Sequence, residues 1–455
     1  MTSAWEKFDW GPWPATAEVP HHAPDEATRH RRSLPLTLRP VTGDGVSQVP
    51  VFDPALKHHG MAMRAGDPRF ADRALGARWY AARRTAIDHV LAAVTTSRWA
   101  DHLVLRGSIL LKAWYGDAAR EPGDLDFVVV PESWKMSADR TASMLDDIAH
   151  LAEDGSWRGG DALTDASTDA SIDARIDASE AVIEDIWTYD RVPGRRLLLP
   201  WTADGLPSGT VQLDFVFNEH LPAPPEVTSV PRAGGGAPIP VLAASAELSL
   251  AWKIMWLVSD MHPQGKDLYD AVLLAESTPL PGRLLRETLV ASDSCYARQP
   301  ITPAAITGLE VEWDEFCKEH PHVPRDAREY VDRLAAALAP TFAEQVEPPG
   351  TEYQRRAAWL APRVAHCLTL MTRDGRDGRD GMEAAQSWLV EQSVHAIDAI
   401  VITSELLGAE ARGVQDAADL VLKGSPAWAR TGWRGYYERN PGLLAAELTR
   451  LREDR

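Results

Sequence analysis

Residues 104–130 read VLRGSILLKAWYGDAAREPGDLDFVVV, and the way this stretch alternates decides the fold. In a strand, side chains point to opposite faces in turn, so Asp124 and Asp126 share one side while Leu125 and Phe127 share the other. Carboxylates spaced two residues apart lie roughly 6–7 Å from each other. On a strand that continues as Val128, Val129 and Val130, such a pair repels itself unless a cation sits between its members. The alternative is an exposed strand end carrying two solvated acids, and the apolar continuation disfavours it. Upstream, a short apolar element at Leu103–Leu105 runs into Gly107-Ser108, and Ile109–Tyr115 reads as a helix. A strand, a glycine turn, a helix and a second strand make an α/β unit.

A third acid tests the idea. In TVQLDFVFN, residues 210–218, Val211, Leu213, Phe215 and Phe217 share one face, and Asp214 shares the other with Gln212, Val216 and Asn218. Asp214 is a charge in the middle of an apolar strand. If that strand lies beside the Asp124–Asp126 strand, three carboxylates converge and offer oxygen ligands of the kind Mg²⁺ prefers. Without that adjacency Asp214 is an acid at a sheet surface. Such a trio suits phosphoryl or nucleotidyl transfer: two acids carry metal bound to a triphosphate, and the third completes a second metal site and favours deprotonation of the attacking hydroxyl. Gly107 lets backbone approach a phosphate, and the amides and Ser108 hydroxyl opening the next helix can donate to it.

The rest of the chain bounds the reading. Its 455 residues, 45% hydrophobic and 25% charged, suffice for two or three domains with their own cores. The formal net charge of −19 argues against a general nucleic-acid coat protein, because such a surface does not attract polyanions over long range. No apolar run approaches the ~20 residues of a membrane span, and the amino terminus MTSAWEKFDWGPWP lacks a secretory apolar stretch. A cytoplasmic location with no membrane partner is expected. Cys295, Cys317 and Cys367 form no CxxC pair and are read as small buried residues. The pairs His21-His22 and His58-His59 lack a further ligand at metal spacing and are read as structural or solvated.

The expected organisation is a small mixed-sheet α/β core followed by a helical domain and a helical carboxy-terminal extension. Residues 1–60 form an irregular arm in which Trp5, Trp10 and Trp13 can anchor. Residues 61–225 form the core, with an Asp-Ala-rich insertion near 153–180. Residues 241–345 are helical, and residues 346–455 extend them. Asp53-Pro54 and Asp67-Pro68 each resemble a helix start. An amphipathic helix runs from Phe70 through Tyr80, Ile87, Leu91 and Val94, with Arg78, Arg83 and Arg84 on a face read as solvated. A further helix covers Ala138–Leu151, strands cover Arg196–Leu199 and Thr210–Phe217, and Pro222–Pro240 reads as a linker. The repeat RDGRDGRDG at 373–381 reads as a loop.

Taken together, Gly-Ser, a short helix, Asp-x-Asp and a later strand acid resemble the nucleotidyltransferase superfamily. More narrowly, LVLRGSILLKAWYG and REPGDLDF are similar to the hallmark of the AbiEii/AbiGii type IV toxin family. The resemblance implies that Gly107 and Ser108 form the phosphate turn, that Asp124, Asp126 and Asp214 hold metal, and that Arg120 is the family arginine ahead of the first aspartate. The serine that usually follows that arginine is Pro122 here. Lys253 in LSLAWKIMW matches a family lysine and is expected to face the triphosphate, the alternative being a lysine that snorkels to the helix surface. GKDLYD, residues 265–270, resembles the Arg/Lys-Asp-x-x-Asp motif, with Asp267 and Asp270 both able to face a cleft and Lys266 and Asp270 spaced to pair along one helix face.

The resemblance implies a Mg²⁺-dependent enzyme (Mn²⁺ being an alternative ion) that moves a nucleoside monophosphate from an NTP to an RNA, tRNA-like, or protein acceptor. It also implies the toxin half of a toxin–antitoxin or phage-defence pair, with a cognate antitoxin as partner. Two rivals remain: an antibiotic or metabolite adenylyltransferase, separable by acceptor screening, and a non-catalytic NTP-binding module, which would bind NTP and metal without releasing pyrophosphate.

Overall fold

The structure is a computed structural model that describes residues 4–162, 173–188, 192–292, 295–297, 299–344, 350–372, 378–408 and 413–453. The chain divides into two compact units. The first comprises residues 1–256, 260–277 and 310–330, and the second residues 257–259, 278–309 and 331–455.

The first unit is built on a mixed sheet. Helix α1 (Arg73–Thr96) leads to β1 (Leu103–Arg106), α2 (Ser108–Tyr115), β2 (Asp124–Val129) and α3 (Asp139–Ala162). There follow β3 (Arg175–Ile176), β4 (Val182–Thr188), β5 (Val192–Thr202), β6 (Gly209–Val216), β7 (Glu226–Val230) and β8 (Ile239–Ala243), then α4 (Ala246–Ser259) and α5 (Gly265–Ser277). The strand order is β7-β8-β1-β2-β6-β5-β3, with β4 also on β5. The pairs β2–β6 and β8–β1 are parallel; β1–β2 and β5–β6 are antiparallel.

Period-two alternation divides the faces as the sequence demands. Leu125, Phe127 and Val129 of β2 and Val211, Leu213 and Phe215 of β6 join one core with Ile87, Val90, Leu91 and Val94 of α1 and Leu145 and Ile148 of α3. Phe127 and Phe215 stack with ring centroids 5.6 Å apart. Each such side chain removed from water contributes about 1.5–3 kcal/mol. With helices covering that face, the polar positions of β2 and β6 are left on the other.

Several local readings differ from the structure. The Pro/Gly-rich stretch 222–240 is no linker throughout: its ends form β7 and the start of β8, because Val230, Ile239 and Val241 bury their side chains at the sheet edge. Asp67-Pro68 does not start a helix. It precedes the short strand Arg69–Phe70, and α1 begins after Asp72, whose carboxylate accepts from the amides of Ala74 and Leu75. Asp53 does cap a single turn, Pro54–Leu56. Arg83 leaves the solvated face expected for it: it is buried against Trp79 and Tyr80 and pairs with Asp67 at 2.7 Å. Within the insertion, α3 runs on to Ala162 and β3 follows, while residues 163–172 lie outside the described residues.

The amino-terminal segment has a small core of its own. Trp5 and Trp13 bury with Val19, Leu34, Leu38, Met61 and Met63, whereas Trp10 remains 56% exposed. Polar bolts fix the segment to the sheet unit. Glu184 on β4 accepts from the amides of Leu36 (2.7 Å) and Thr37 (3.0 Å), Arg64 forks onto Glu319 (2.7 and 3.1 Å), and Lys318 donates to the Trp13 carbonyl (2.7 Å).

Among its described residues the second unit is helical. Glu352–Thr372 packs against Gly378–Glu391 and Ala396–Leu406, and the last of these is buried from Ala396 through Ser404. Gln386 is buried there without penalty, because its amide donates to Thr403 (2.8 Å) and accepts from the Trp428 indole (2.8 Å). Residues 373–377 of the RDG repeat lie outside the described residues, and a helix begins at Gly378. Cys317 of the first unit and Cys367 of the second are free and buried. Among the described residues no helix is long and apolar enough to cross a membrane.

Candidate active site

The parallel register of β2 and β6 sets Gln212 beside Asp124 and Asp214 beside Asp126. On the other side of β2, Arg106 of β1 pairs with Asp126. The chain then turns at Gly107, where φ is +90° and an added Cβ would sit 2.4 Å from Asp126 Oδ2. Only glycine meets both demands. The turn delivers Ser108 to the first position of α2. Its side chain is buried, and its Oγ has no hydrogen-bond partner among the described residues.

Electrostatics single out Asp126. Burial, then repulsion from Asp124 and Asp214, push its carboxyl up to about 7 against the pull of Arg106 and Lys266. Three acids on one sheet face, one of them this reluctant to ionise, form an oxygen-only donor set whose mutual repulsion the neighbouring cations offset only in part. With the bare backbone of Gly107 lining the same cleft, they fit a hard divalent cation.

Asp214 is held more firmly than its strand alone foretells. Arg196, its antiparallel partner on β5, donates from Nε to Oδ1 at 2.8 Å and from Nη2 to Oδ2 at 2.9 Å. The same guanidinium reaches Asp53 Oδ2 at 2.7 Å through Nη1. Sequence reasoning places Arg196 only at the start of a strand. Its signal lies in the open, since a charge next to Leu197, Leu198 and Leu199 is as anomalous as Asp214 among its own neighbours. Burial still raises Asp214 above the usual carboxylate range, with Asp124 and Asp53 adding to the effect and Arg196 opposing it.

The remaining expected residues converge into one ion cluster. Lys253 Nζ on α4 donates to Asp267 Oδ1 at 2.6 Å and lies 2.9 Å from Asp270 Oδ2. Arg120 meets the same Asp270 from Nη2 at 3.1 Å and from Nε at 3.2 Å. Burial would raise Asp270, but Arg120 and Lys253 outweigh it and bring it down to about 2. Lys253 therefore spends its charge on two carboxylates. Lys266 does not pair with Asp270 as the four-residue spacing suggests, because Arg120 and Lys253 occupy that carboxylate. Half-buried at the start of α5, Lys266 makes no ion pair or hydrogen bond among the described residues. A cleft unites these parts: Gly107, Asp124, Asp126, Asp214, Lys253 and Lys266 all line it.

The family described as "Nucleotidyl transferase AbiEii toxin, Type IV TA system" matches residues 89–347. Among solved structures the chain is similar to MenT4, a nucleotidyltransferase toxin from Mycobacterium tuberculosis H37Rv. The two are 17% identical with a TM-score of 0.38, and the alignment covers 69% of this chain and 95% of that one. Comparison with curated proteins yields no match.

Proposed function

The chain belongs to the AbiEii nucleotidyl transferase toxin family, and from that premise we propose that it transfers a nucleoside monophosphate from an NTP to an RNA or protein acceptor, as the toxin of a toxin–antitoxin pair. The observation that carries this reading is the in-register trio Asp124, Asp126 and Asp214 against the Gly107-Ser108 turn. In the reaction an acceptor hydroxyl oxygen bonds to the α-phosphorus, the bond from that phosphorus to the bridging oxygen breaks, and pyrophosphate leaves. Asp124, Asp126 and Asp214 would hold Mg²⁺ or Mn²⁺, which when bound withdraws charge from the triphosphate.

The chain's own groups do the rest. The bare backbone at Gly107 admits a phosphate, and the Ser108 hydroxyl donates to one of its oxygens. Asp214, oriented by the Arg196 fork, accepts a hydrogen bond from the attacking hydroxyl and takes up its proton. Arg120 and Lys253 fix Asp270 and Asp267 and so hold α5, with Lys266 at its start, against the cleft.

The test is incubation with each α-labelled NTP and Mg²⁺ or Mn²⁺, with RNA and protein acceptor fractions assayed apart and Asp124→Ala as control. Label is expected in one macromolecular fraction and lost in the variant. Transfer that survives Asp124→Ala overturns the assignment; label in protein alone overturns an RNA acceptor.

A further inference from the structure

A second cavity adjoins the carboxylate cleft. It has a volume of about 470 Å³ and shares Phe52, Lys57, Arg64, Gln264 and Lys266 with the cleft as a common wall. Its chemistry is unlike that of the cleft. Trp10, Trp13, Phe52, Met61 and Phe316 supply apolar and aromatic surface, and His262 meets the Phe52 ring edge-on at a centroid distance of 5.8 Å.

The charges lining it balance. Lys57, Arg64 and Lys266 face Glu312, Glu315 and Glu319, and most are already engaged: Arg64 with Glu319, Lys57 with Asp260 at 3.9 Å, Glu312 with His262 at 3.7 Å and Glu315 with Lys318. Lys266, on the common wall, is the cation without a partner among the described residues. The cavity thus favours a flat, uncharged ring, and its mouth favours an anion. A ring system joined to a phosphate is a nucleotide.

We propose that this cavity is a nucleobase pocket: it takes the base of a nucleotide whose phosphate lies at Lys266, on the wall shared with the carboxylate cleft. This rests on the nucleotidyl-transfer reading and adds to it the place where the base is held. The walls of the pocket from Trp10 to Arg64 precede the family-matched residues 89–347, and those from His262 to Glu319 lie within them. Two nucleotides meet in the reaction, the donor NTP and the last nucleotide of an RNA acceptor, and the chemistry of the pocket suits either.

Photo-crosslinking on the full-length protein distinguishes them. One arm uses a ribonucleoside triphosphate with an azido group on its base. The other uses a short oligoribonucleotide ending in 4-thiouridine. Crosslinked peptides are identified by mass spectrometry, and equilibrium binding of an NTP analogue with a non-cleavable α,β-bridge, and of the oligonucleotide, is measured in parallel. A crosslink in the segment from Trp10 to Arg64 with the first probe assigns the pocket to the donor, and with the second to the acceptor. Trp10→Ala and Phe52→Ala should each weaken binding of the crosslinking probe about 5- to 20-fold, in the range of base–aromatic stacking. Trp10 is exposed enough that its loss leaves the fold intact, which guards against misreading the buried-side variant. Crosslinks confined to other segments, with wild-type binding by both variants, overturn the pocket; label transfer that persists in that case leaves the nucleotidyltransferase reading standing. Binding of neither probe to the wild-type protein overturns both.

Discussion

Replacing Asp126 by Asn should stabilise the metal-free protein, even though the residue is proposed to be indispensable for transfer. Its carboxyl stands at about 7 against an ordinary value of 3.8, because burial and the charges of Asp124 and Asp214 oppose ionisation. A folded-state value above the unfolded one means that the folded chain binds the extra proton between the two. This group therefore costs nothing below about pH 4, costs progressively more as pH rises, and costs its full amount above about pH 7. The whole shift corresponds to about 4 kcal/mol, and the partial exposure of Asp126 and solvent screening reduce it to about 1–2 kcal/mol. For a unit of this size that is a rise of about 3–6 °C in unfolding temperature. Calorimetry on wild type and Asp126→Asn in EDTA at pH 4 and pH 8 is the assay, since separate units can give separate transitions. The variant should match wild type at pH 4 and exceed it at pH 8. Mg²⁺ at ten times its dissociation constant should then stabilise wild type by about 1.4 kcal/mol and the variant less. A variant no more stable than wild type at pH 8 in EDTA would refute the idea that burial and repulsion from its neighbouring acids hold the Asp126 carboxyl up.

Arg196→Met leaves Asp53 and Asp214 buried without their shared cation and should cost about 3–5 kcal/mol in urea unfolding; adding Asp53→Asn and Asp214→Asn should recover part of the loss. Gly107→Ala forces a Cβ toward Asp126 and should depress label transfer about 5- to 100-fold, from strain of about 1–3 kcal/mol, with an unchanged far-ultraviolet circular dichroism spectrum. Lys253→Met and Lys266→Met should separate cleanly. The first lowers the unfolding temperature, because two buried acids lose a partner; the second leaves it in place and raises the KM for NTP about tenfold, the worth of one charged hydrogen bond. Burial would raise Glu184, but bonds from His59, Thr37 and Leu36 hold it at about 2. Its contribution to stability is therefore full above about pH 4.5 and is lost as pH falls toward 2. Glu184→Ala should expose residues 34–38 to limited proteolysis at neutral pH.

The sheet and its acids are legible because each rests on period-two alternation within one short segment, and Asp214 announces itself by sitting among Leu213, Phe215 and Phe217. What escapes depends on partners distant in sequence. Nothing near Lys253 foretells that Asp267 and Asp270 consume its charge, and nothing near Arg83 foretells Asp67. Arg196 carries a local signal, a charge beside three leucines, but its two carboxylate partners lie on other segments. The strand at Glu226–Val230 is obscured by a neighbouring glycine run whose composition describes the turn beside the strand and not the strand itself.

Asp53 and Asp214 share one guanidinium, although they enter the chain 161 positions apart. The other bolts of the amino-terminal segment are also long-range: Leu36 and Thr37 to Glu184, Arg64 to Glu319, Trp13 to Lys318. Contacts so distant in sequence pay their loop-closure entropy before they return any stability. During synthesis, then, this segment waits for 143 further residues before Asp53 can meet Arg196 and for 305 before Trp13 can meet Lys318. A chain that has reached only β2 carries its acids without the docked walls of this segment, so the complete cleft forms only once Lys318 and Glu319 have emerged.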